Sequence, residues 1–355
     1  MPPLYRRLLT GTKTMTETKQ AHFKSKDWIT TEEWSDNELD VMLDVASDLK
    51  RKFKGKIPHR YLPDQTIFLM FFDKSTRTRN SFEAGITQLG GHGHFLTSDA
   101  MQISHGESAK DTGIILSSYG HAIAIRHDLV PGEGNAYMRE VARWAGAPVI
   151  NMQCDVDHPC QTLADLMTIR ELRGRNTRQL KVAVSWAYAP SYAKPLSVPQ
   201  GLIMLLPRFG MDVVLAHPPE YGLMAGTVAA AHANAARGGG QFRIVDSMDE
   251  AFRDADVVIP KSWGCLDTMG SNPAESLRIA KQYTHWICNA ERMKLAKKDV
   301  LYMHPLPADR GNEVADEVID GPNSVVYQEA ENRLHTAKAI MALTMAERPV
   351  DYQAG

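Results

Sequence analysis

Apolar residues along this chain follow two alternating periods. Over residues 37–54, Leu39, Val41, Met42, Val45, Ala46 and Leu49 fall on one face of a helix. The unbroken apolar run 67–72 predicts a buried strand. A helical pattern through Phe82, Ile86 and Leu89 follows and stops at Gly90-Gly91. The pattern then predicts a helix over 112–119, strands over 121–125 and 148–152, and a helix over 163–173. After a polar break at Arg173-Gly174-Arg175-Asn176 a second alternating set begins. It comprises strands over 180–186, 211–216, 242–245, 256–260 and 300–303, with helices near 198–209, 221–237 and 248–254. A closing helix near 331–347 is long enough to cross back onto the first half. Strands alternating with helices predict an α/β protein with mostly parallel sheets.

Length and composition narrow this only by exclusion. The 355 residues suggest two domains at ~150 residues each. With 40 Lys+Arg against 42 Asp+Glu the net charge is −2, which argues against a nucleic-acid or membrane-surface binder. No apolar run approaches the ~18 residues of a membrane span. The four cysteines form no C-x-x-C pair. Cys154, His158 and Cys160 lie close in sequence but make a poor zinc set, so buried free thiols in a reducing compartment are expected. Residues 1–14 carry Arg6, Arg7 and Lys13 and no acid. That is a faint transit-peptide character, and a frayed tail or a start ahead of Met15 is the expected explanation. No signal-peptide apolar core is present, so a cytoplasmic location is expected.

Candidate chemistry sits where predicted strands end. Ser75-Thr76-Arg77-Thr78-Arg79 lies between a strand and a helix. There free N–H groups, hydroxyl donors and a guanidinium fork suit an anion. The chain has no G-x-x-x-x-G-K-[ST] and no G-x-G-x-x-G after a strand, so P-loop and dinucleotide readings weaken. His158-Pro159-Cys160-Gln161 follows a strand, with Pro159 suited to the first helical turn and His158 to the cap. His304-Pro305-Leu306-Pro307 makes a stiff loop with free carbonyls. Glu331-Asn332-Arg333 opens the last predicted helix, where an Arg opposes the helix dipole and hints at an anionic partner.

Taken together, these segments resemble the aspartate/ornithine carbamoyltransferase family. Ser75–Arg79 is similar to its S-T-R-T-R motif. Gln102, His105-Gly106-Glu107-Ser108 and Asp111-Thr112 are similar to Q-x-x-H-x-E-S-x-x-D-T. Arg126 matches a strand-end arginine, residues 158–161 match H-P-x-Q, residues 304–307 match H-[CP]-L-P, and residues 331–333 match E-N-R. The order holds over about residues 25–347. The resemblance implies attack of an amine on carbamoyl phosphate with loss of phosphate, and it implies no cofactor and no metal. Ser75, Thr76, Arg77 and Thr78 would bind the phosphate. Thr78, Arg126 and His158 would donate to the carbonyl oxygen, Gln161 would take the carbamoyl NH2, and Arg333 would add a contact. Arg77, Thr78, Arg126, His158 and Arg333 are the implied catalytic set. Gln102 would reach a neighbouring subunit's site, which implies a homotrimer.

The acceptor half departs from the ornithine enzymes. Lys261-Ser262-Trp263-Gly264 stands near their D-x-x-x-S-M-G, which reverses the local charge and predicts a carboxylate-bearing amine as acceptor. Lys261, Trp263, Pro305, Leu306 and Asp155 are the candidate acceptor contacts. The proline-rich stretch 186–199 is similar to the knotted branch of the family. That branch includes the N-acetylornithine and N-succinylornithine carbamoyltransferases and the YgeW type, which residues 132–140 and 260–263 resemble most. Glu313 stands where the N-acetylornithine enzymes carry a lysine. The implied fold is two parallel-sheet Rossmann-like domains joined by helices, with a deep trefoil knot in the second. Residues 1–172, completed by a C-terminal helix within 331–355, would bind carbamoyl phosphate, and 173–330 would bind the acceptor. Competing readings are ornithine carbamoyltransferase proper, a non-catalytic carbamoyl-phosphate sensor, and another α/β enzyme sharing only the fold.

Overall fold

A computed structural model describes residues 23–191 and 193–353. Residues 1–14 and Tyr192, within the proline-rich stretch, lie outside the described residues.

The first helix, α1 (Asp36–Lys54), opens on a capping box in which Ser35 and Glu38 satisfy each other's backbone N–H groups. Then come β1 (Thr66–Phe71), α2 (Arg77–Gln88), β2 (His92–Thr97), α3 (Ala109–Tyr119), β3 (Ala122–His127), α4 (Gly134–Trp144), β4 (Val149–Cys154) and α5 (Pro159–Arg173). These strands form one parallel sheet in the order β2-β1-β3-β4. The second half contains β5 (Lys181–Trp186), α6 (Ser197–Leu205), β6 (Asp212–Ala216), α7 (Ala225–Gly238), β7 (Gln241–Val245), α8 (Met248–Phe252), β8 (Val257–Lys261), α9 (Pro273–Ala280), α10 (Ala290–Met293), β9 (Leu301–Tyr302) and α11 (Asp316–Ile319). Its strands form a second parallel sheet, β7-β6-β5-β8-β9. The last helix, α12 (Val326–Met345), returns to pack on α1, α2 and α5 beside the first sheet. Among the described residues no helix is long and apolar enough to cross a membrane.

Strand order fixes where a site can form. In the first sheet the chain moves from β1 out to β2 and then back past β1 to β3. In the second it moves out from β5 to β7 and back past β5 to β8. Ligands of open parallel sheets bind beyond the carboxyl ends of strands at such reversals. Those ends carry residues 73–78, 126–128 and 155–158 from one sheet and 187–196, 261–264 and 303–307 from the other.

Two differences from the sequence pattern bear on the site. The closing helix begins at Val326, not near 331, so Arg333 lies in its second turn and not at its dipole end. Its N-cap, Val325, offers no capping side chain, so the sequence carries no start signal there. At α2 the N-cap is Thr76 with no side-chain cap bond, so neither its hydroxyl nor that of Ser75 caps the helix. The four cysteines are buried and free. Cys154 and Cys160 bond to Asn151 and the Asp157 backbone, away from His158.

Candidate active site

Both sets of strand ends open into one cavity of about 210 Å³. Ser75, Arg77, Thr78, Arg126, His158, Gln161 and Arg333 line it from the first half. Lys261, Pro305 and Leu306 line it from the second. Five cationic side chains face it (Arg77, Arg126, Arg333, Lys194 and Lys261), and among the described residues no carboxylate does. Such a cavity attracts anions.

Three residues knit the anion side together. Arg333 Nη2 donates to Thr78 Oγ1 at 2.7 Å and its Nη1 to Gln161 Oε1 at 2.5 Å. Arg126 Nη1 reaches Ser75 Oγ at 3.3 Å and Thr78 Oγ1 at 3.4 Å. Thr78 therefore stands between two guanidinium groups, one from β3 and one from α12. Arg77 Nη2 donates to Leu306 O at 2.5 Å and so bridges the two halves across the cavity. Leu306 has φ 51°, a left-handed backbone uncommon for a leucine, at the point where its carbonyl turns inward.

His158 caps α5 ahead of Pro159, as the sequence predicts. Burial, reinforced by Arg333, Arg126 and Arg77, holds its imidazole well below the usual range, so the ring is neutral at pH 7. A neutral ring can donate to a carbonyl oxygen without adding a charge. Gln161 is more constrained than its motif suggests. Its Nε2 donates to Asp165 Oδ1 at 2.6 Å and Glu329 Oε1 at 3.0 Å, and its Oε1 is taken by Arg333. Burial raises the Asp165 and Glu329 carboxyls, and each lies close to the other. Glu329 Oε2 also accepts from His304 N at 2.8 Å, which ties α12 to the 304–307 loop.

The acceptor side rests on a residue whose role the sequence left open. Glu313 is fully buried and accepts from Ser262 N at 2.6 Å and Asp309 N at 2.7 Å. Lys261 Nζ lies 3.9 Å from its Oε1, and His304 Nε2 3.4 Å from its Oε2. Leu306 N donates to His304 Nδ1, so a neutral His304 carries its proton on Nε2, toward Glu313. Burial pushes the Glu313 carboxyl up, but Lys261, His304 and the Asp309 N–H outweigh it and hold it below the ordinary range. Burial also lowers the Lys261 amine, against the pull of Glu313. Lys194, which the sequence did not single out, lines the cavity and pairs with Asp309 at 2.8 Å. Gln153 also lines it and donates to Ser197 Oγ at 3.0 Å.

Four predicted site residues lie off the cavity. The Asp155 carboxylate accepts from Gly132 N and Asn135 N, each at 2.7 Å. It is consumed in holding the 132–135 turn and does not face an acceptor amine. Trp263 is buried, with its Nε1 donating to Tyr221 O at 2.8 Å, so it is a wall behind Lys261 and not a contact. Gln102 is exposed on a 3-10 turn over Gln102–His105, and Thr76 is the exposed cap of α2. A larger cavity of about 460 Å³ near α10 and α11 has lysines at its rim. Two of them are already paired, Lys294 with Glu291 and Lys297 with Asp256.

Two parallel α/β sheets meeting over a cationic cavity built from strand ends define a two-part α/β protein with an anion-binding site. The first match is to the "Aspartate/ornithine carbamoyltransferase, carbamoyl-P binding domain" over residues 26–171, and the second to the "Asp/Orn binding domain" of the same family over 196–344. The chain belongs to the aspartate/ornithine carbamoyltransferase family and is an enzyme of the carbamoyltransferase class. It is 40% identical to YgeW of Escherichia coli K12 over 345 aligned positions, covering 87% of each chain. Ornithine carbamoyltransferase from Pyrococcus furiosus superposes with a TM-score of 0.82 at 37% identity, covering 91% of this chain and 98% of that one. A variant of N-acetyl-L-ornithine transcarbamylase, complexed with carbamyl phosphate and N-succinyl-L-norvaline, gives 0.83 at 34% identity, covering 89% and 99%.

Proposed function

We propose that this enzyme moves the carbamoyl group of carbamoyl phosphate to the primary amine of a carboxylate-bearing, amino-acid-like acceptor and releases phosphate. The observation that carries the reading is the five-cation cavity, with three arginines from the first half and the last helix and two lysines from the second half. The free N–H groups at the start of α2, with Ser75 and Arg77, hold the phosphate. Thr78, Arg126 and His158 converge on the carbonyl oxygen. The amine lone pair forms the new N–C bond, the C–O bond to phosphate breaks, and the amine proton passes to the departing phosphate or to water. Most of the rate gain comes from orientation and from donors fixed in advance. Arg333 aligns Thr78 and Gln161, and Gln161 completes the carbamoyl pocket.

Lys261 and Lys194 take the acceptor carboxylate, with Pro305 and Leu306 against its chain. The lysines fit a carboxylate better than the cationic end of ornithine. Residues 1–172 with the last helix form the carbamoyl-phosphate domain, and 173–330 form the acceptor domain. Gln102, remote from its own cavity, serves a neighbouring subunit in a homotrimer. An exposed apolar face on α3, formed by Ile114, Ile115 and Tyr119, supports self-association. We also read the described part of the proline-rich stretch 186–199 as the threaded loop of a knot. The loop is held by Ala187 N to Lys261 O, Tyr188 N to Trp286 O and Gly264 N to Lys194 O.

Acceptor choice is tested with amine pairs that differ only in a carboxylate, such as an amino acid and its decarboxylated amine. Phosphate release should depend on the carboxylate. In Lys261→Met the acceptor KM should rise while carbamoyl phosphate binding holds. An unchanged acceptor KM removes Lys261 from the acceptor site.

A further inference from the structure

Asp128 is buried just after β3, and no part of the transfer chemistry above uses it. Its two oxygens accept from one edge of the Arg126 guanidinium, Nε to Oδ1 at 3.1 Å and Nη2 to Oδ2 at 3.0 Å. This two-point grip fixes the plane of the fork. It leaves Nη1, on the other edge, aimed past Ser75 and Thr78 into the cavity. Behind Asp128 lies a second carboxyl. Asp73, in the β1–α2 loop two residues before Ser75, reaches the Asp128 side chain. Arg126 and Asp73 are the charged groups that face Asp128.

We propose that Asp128, backed by Asp73, is the positioning residue of Arg126 and trades anion affinity for orientation of that guanidinium in the transfer step. The inference rests on the proposed role of Arg126. A carboxylate beside an anion site opposes anion binding, so it is useful only if the geometry it enforces is worth more in the transition state. Burial, with Asp73 adding to it against the pull of Arg126, pushes the Asp128 carboxyl up to about 6. Above that pH the grip is a full ion pair. Below it the protonated carboxyl has one good acceptor oxygen left, and the fork is released.

The experiment combines turnover and binding in the full-length protein. Turnover is followed as phosphate release at saturating carbamoyl phosphate with an accepted amine, from pH 5 to 8. Carbamoyl phosphate binding is followed by calorimetry. Amine ionisation alone gives log turnover a slope of one against pH, and loss of the Arg126 grip should steepen it below about pH 6. Asp128→Asn should lower turnover about 10-fold or more, the scale on which partners of functional side chains act. It should bind carbamoyl phosphate as tightly as wild type or tighter, and it should show no steepening. Asp73→Asn, at a half-buried position, should move the steepening to lower pH. Turnover in Asp128→Asn equal to wild type overturns the proposal. So does binding weakened as much as in Arg126→Met, which would mark Asp128 as merely structural. Steepening left unmoved by Asp73→Asn removes Asp73 from the pair, and steepening left in place by Asp128→Asn belongs to the substrate and overturns the pH part of the proposal. Wild type that binds carbamoyl phosphate but transfers to no amine defeats the transferase reading instead, and tight binding by Asp128→Asn then still supports the affinity half of the proposal.

Discussion

Glu313 is the carboxylate that faces the largely buried Lys261 ammonium, 3.9 Å away. Replacing Glu313 with Leu leaves a buried ammonium without a partner, a change that costs about 3–5 kcal/mol. Urea unfolding should show that loss in Glu313→Leu and recovery of much of it in the double variant with Lys261→Met. The pair also sets an acid limb. The Glu313 carboxyl is held below its ordinary 4.5, so its stabilisation is complete above that value and fades as pH falls below it. Lys338 behaves oppositely. Burial brings its ammonium from 10.5 to about 8, with His59 Nε2 at 3.2 Å and Gln88 Oε1 at 2.9 Å as its polar contacts. The folded state then sheds a proton that the unfolded chain keeps, so stability should rise between about pH 8 and 10.5. Lys338→Met should remove that rise relative to wild type. Arg77, Arg126 and His158 were legible in the sequence because they sit next to strand and helix boundaries, and Arg333 because it completes the E-N-R segment. Lys194 and Glu313 were not, because their partners, Asp309 and Lys261, are brought to them only by the fold.

At the scale of elements, most strands declared themselves because buried parallel strands are continuous apolar runs. β2 did not, since it is a half-exposed edge strand reading His-Gly-His-Phe-Leu-Thr. α4 was also missed as a helix, as its N-cap Glu133 makes no capping bond. Neither miss displaced the site, which hangs on β1, β3 and β4. One helix contact does control it. A Cβ at Gly201 of α6 would lie 2.4 Å from Asp157 Oδ1 and 2.6 Å from Thr162 Cγ2. Gly201→Ala should therefore force α6 off α5 and cost about 1–3 kcal/mol. Because His158 caps α5, turnover should fall as well. Thermal unfolding and turnover measured together check this, and a wild-type melting temperature would contradict it.

For the whole molecule, a net charge of −2 concealed the cationic cavity, because charge balance is a sum and a site is a location. The α/β class and the turn from one half to the other were legible. The return of α12 onto the first half was legible in outline, with its start misplaced. The knot and the homotrimer came only from the family resemblance and stand as proposals, since both depend on where distant segments lie. Sedimentation should give three chain masses of 39.5 kDa, and Ile115→Lys on α3 should lower that to one and reduce turnover through loss of Gln102. The most direct test follows the carbon that moves. With carbamoyl phosphate labelled at the carbonyl carbon and a carboxylate-bearing amine present, carbon NMR should show the label in a ureido product, equal in amount to the phosphate released. Label recovered only as bicarbonate, or left in carbamoyl phosphate with every amine, would contradict the account.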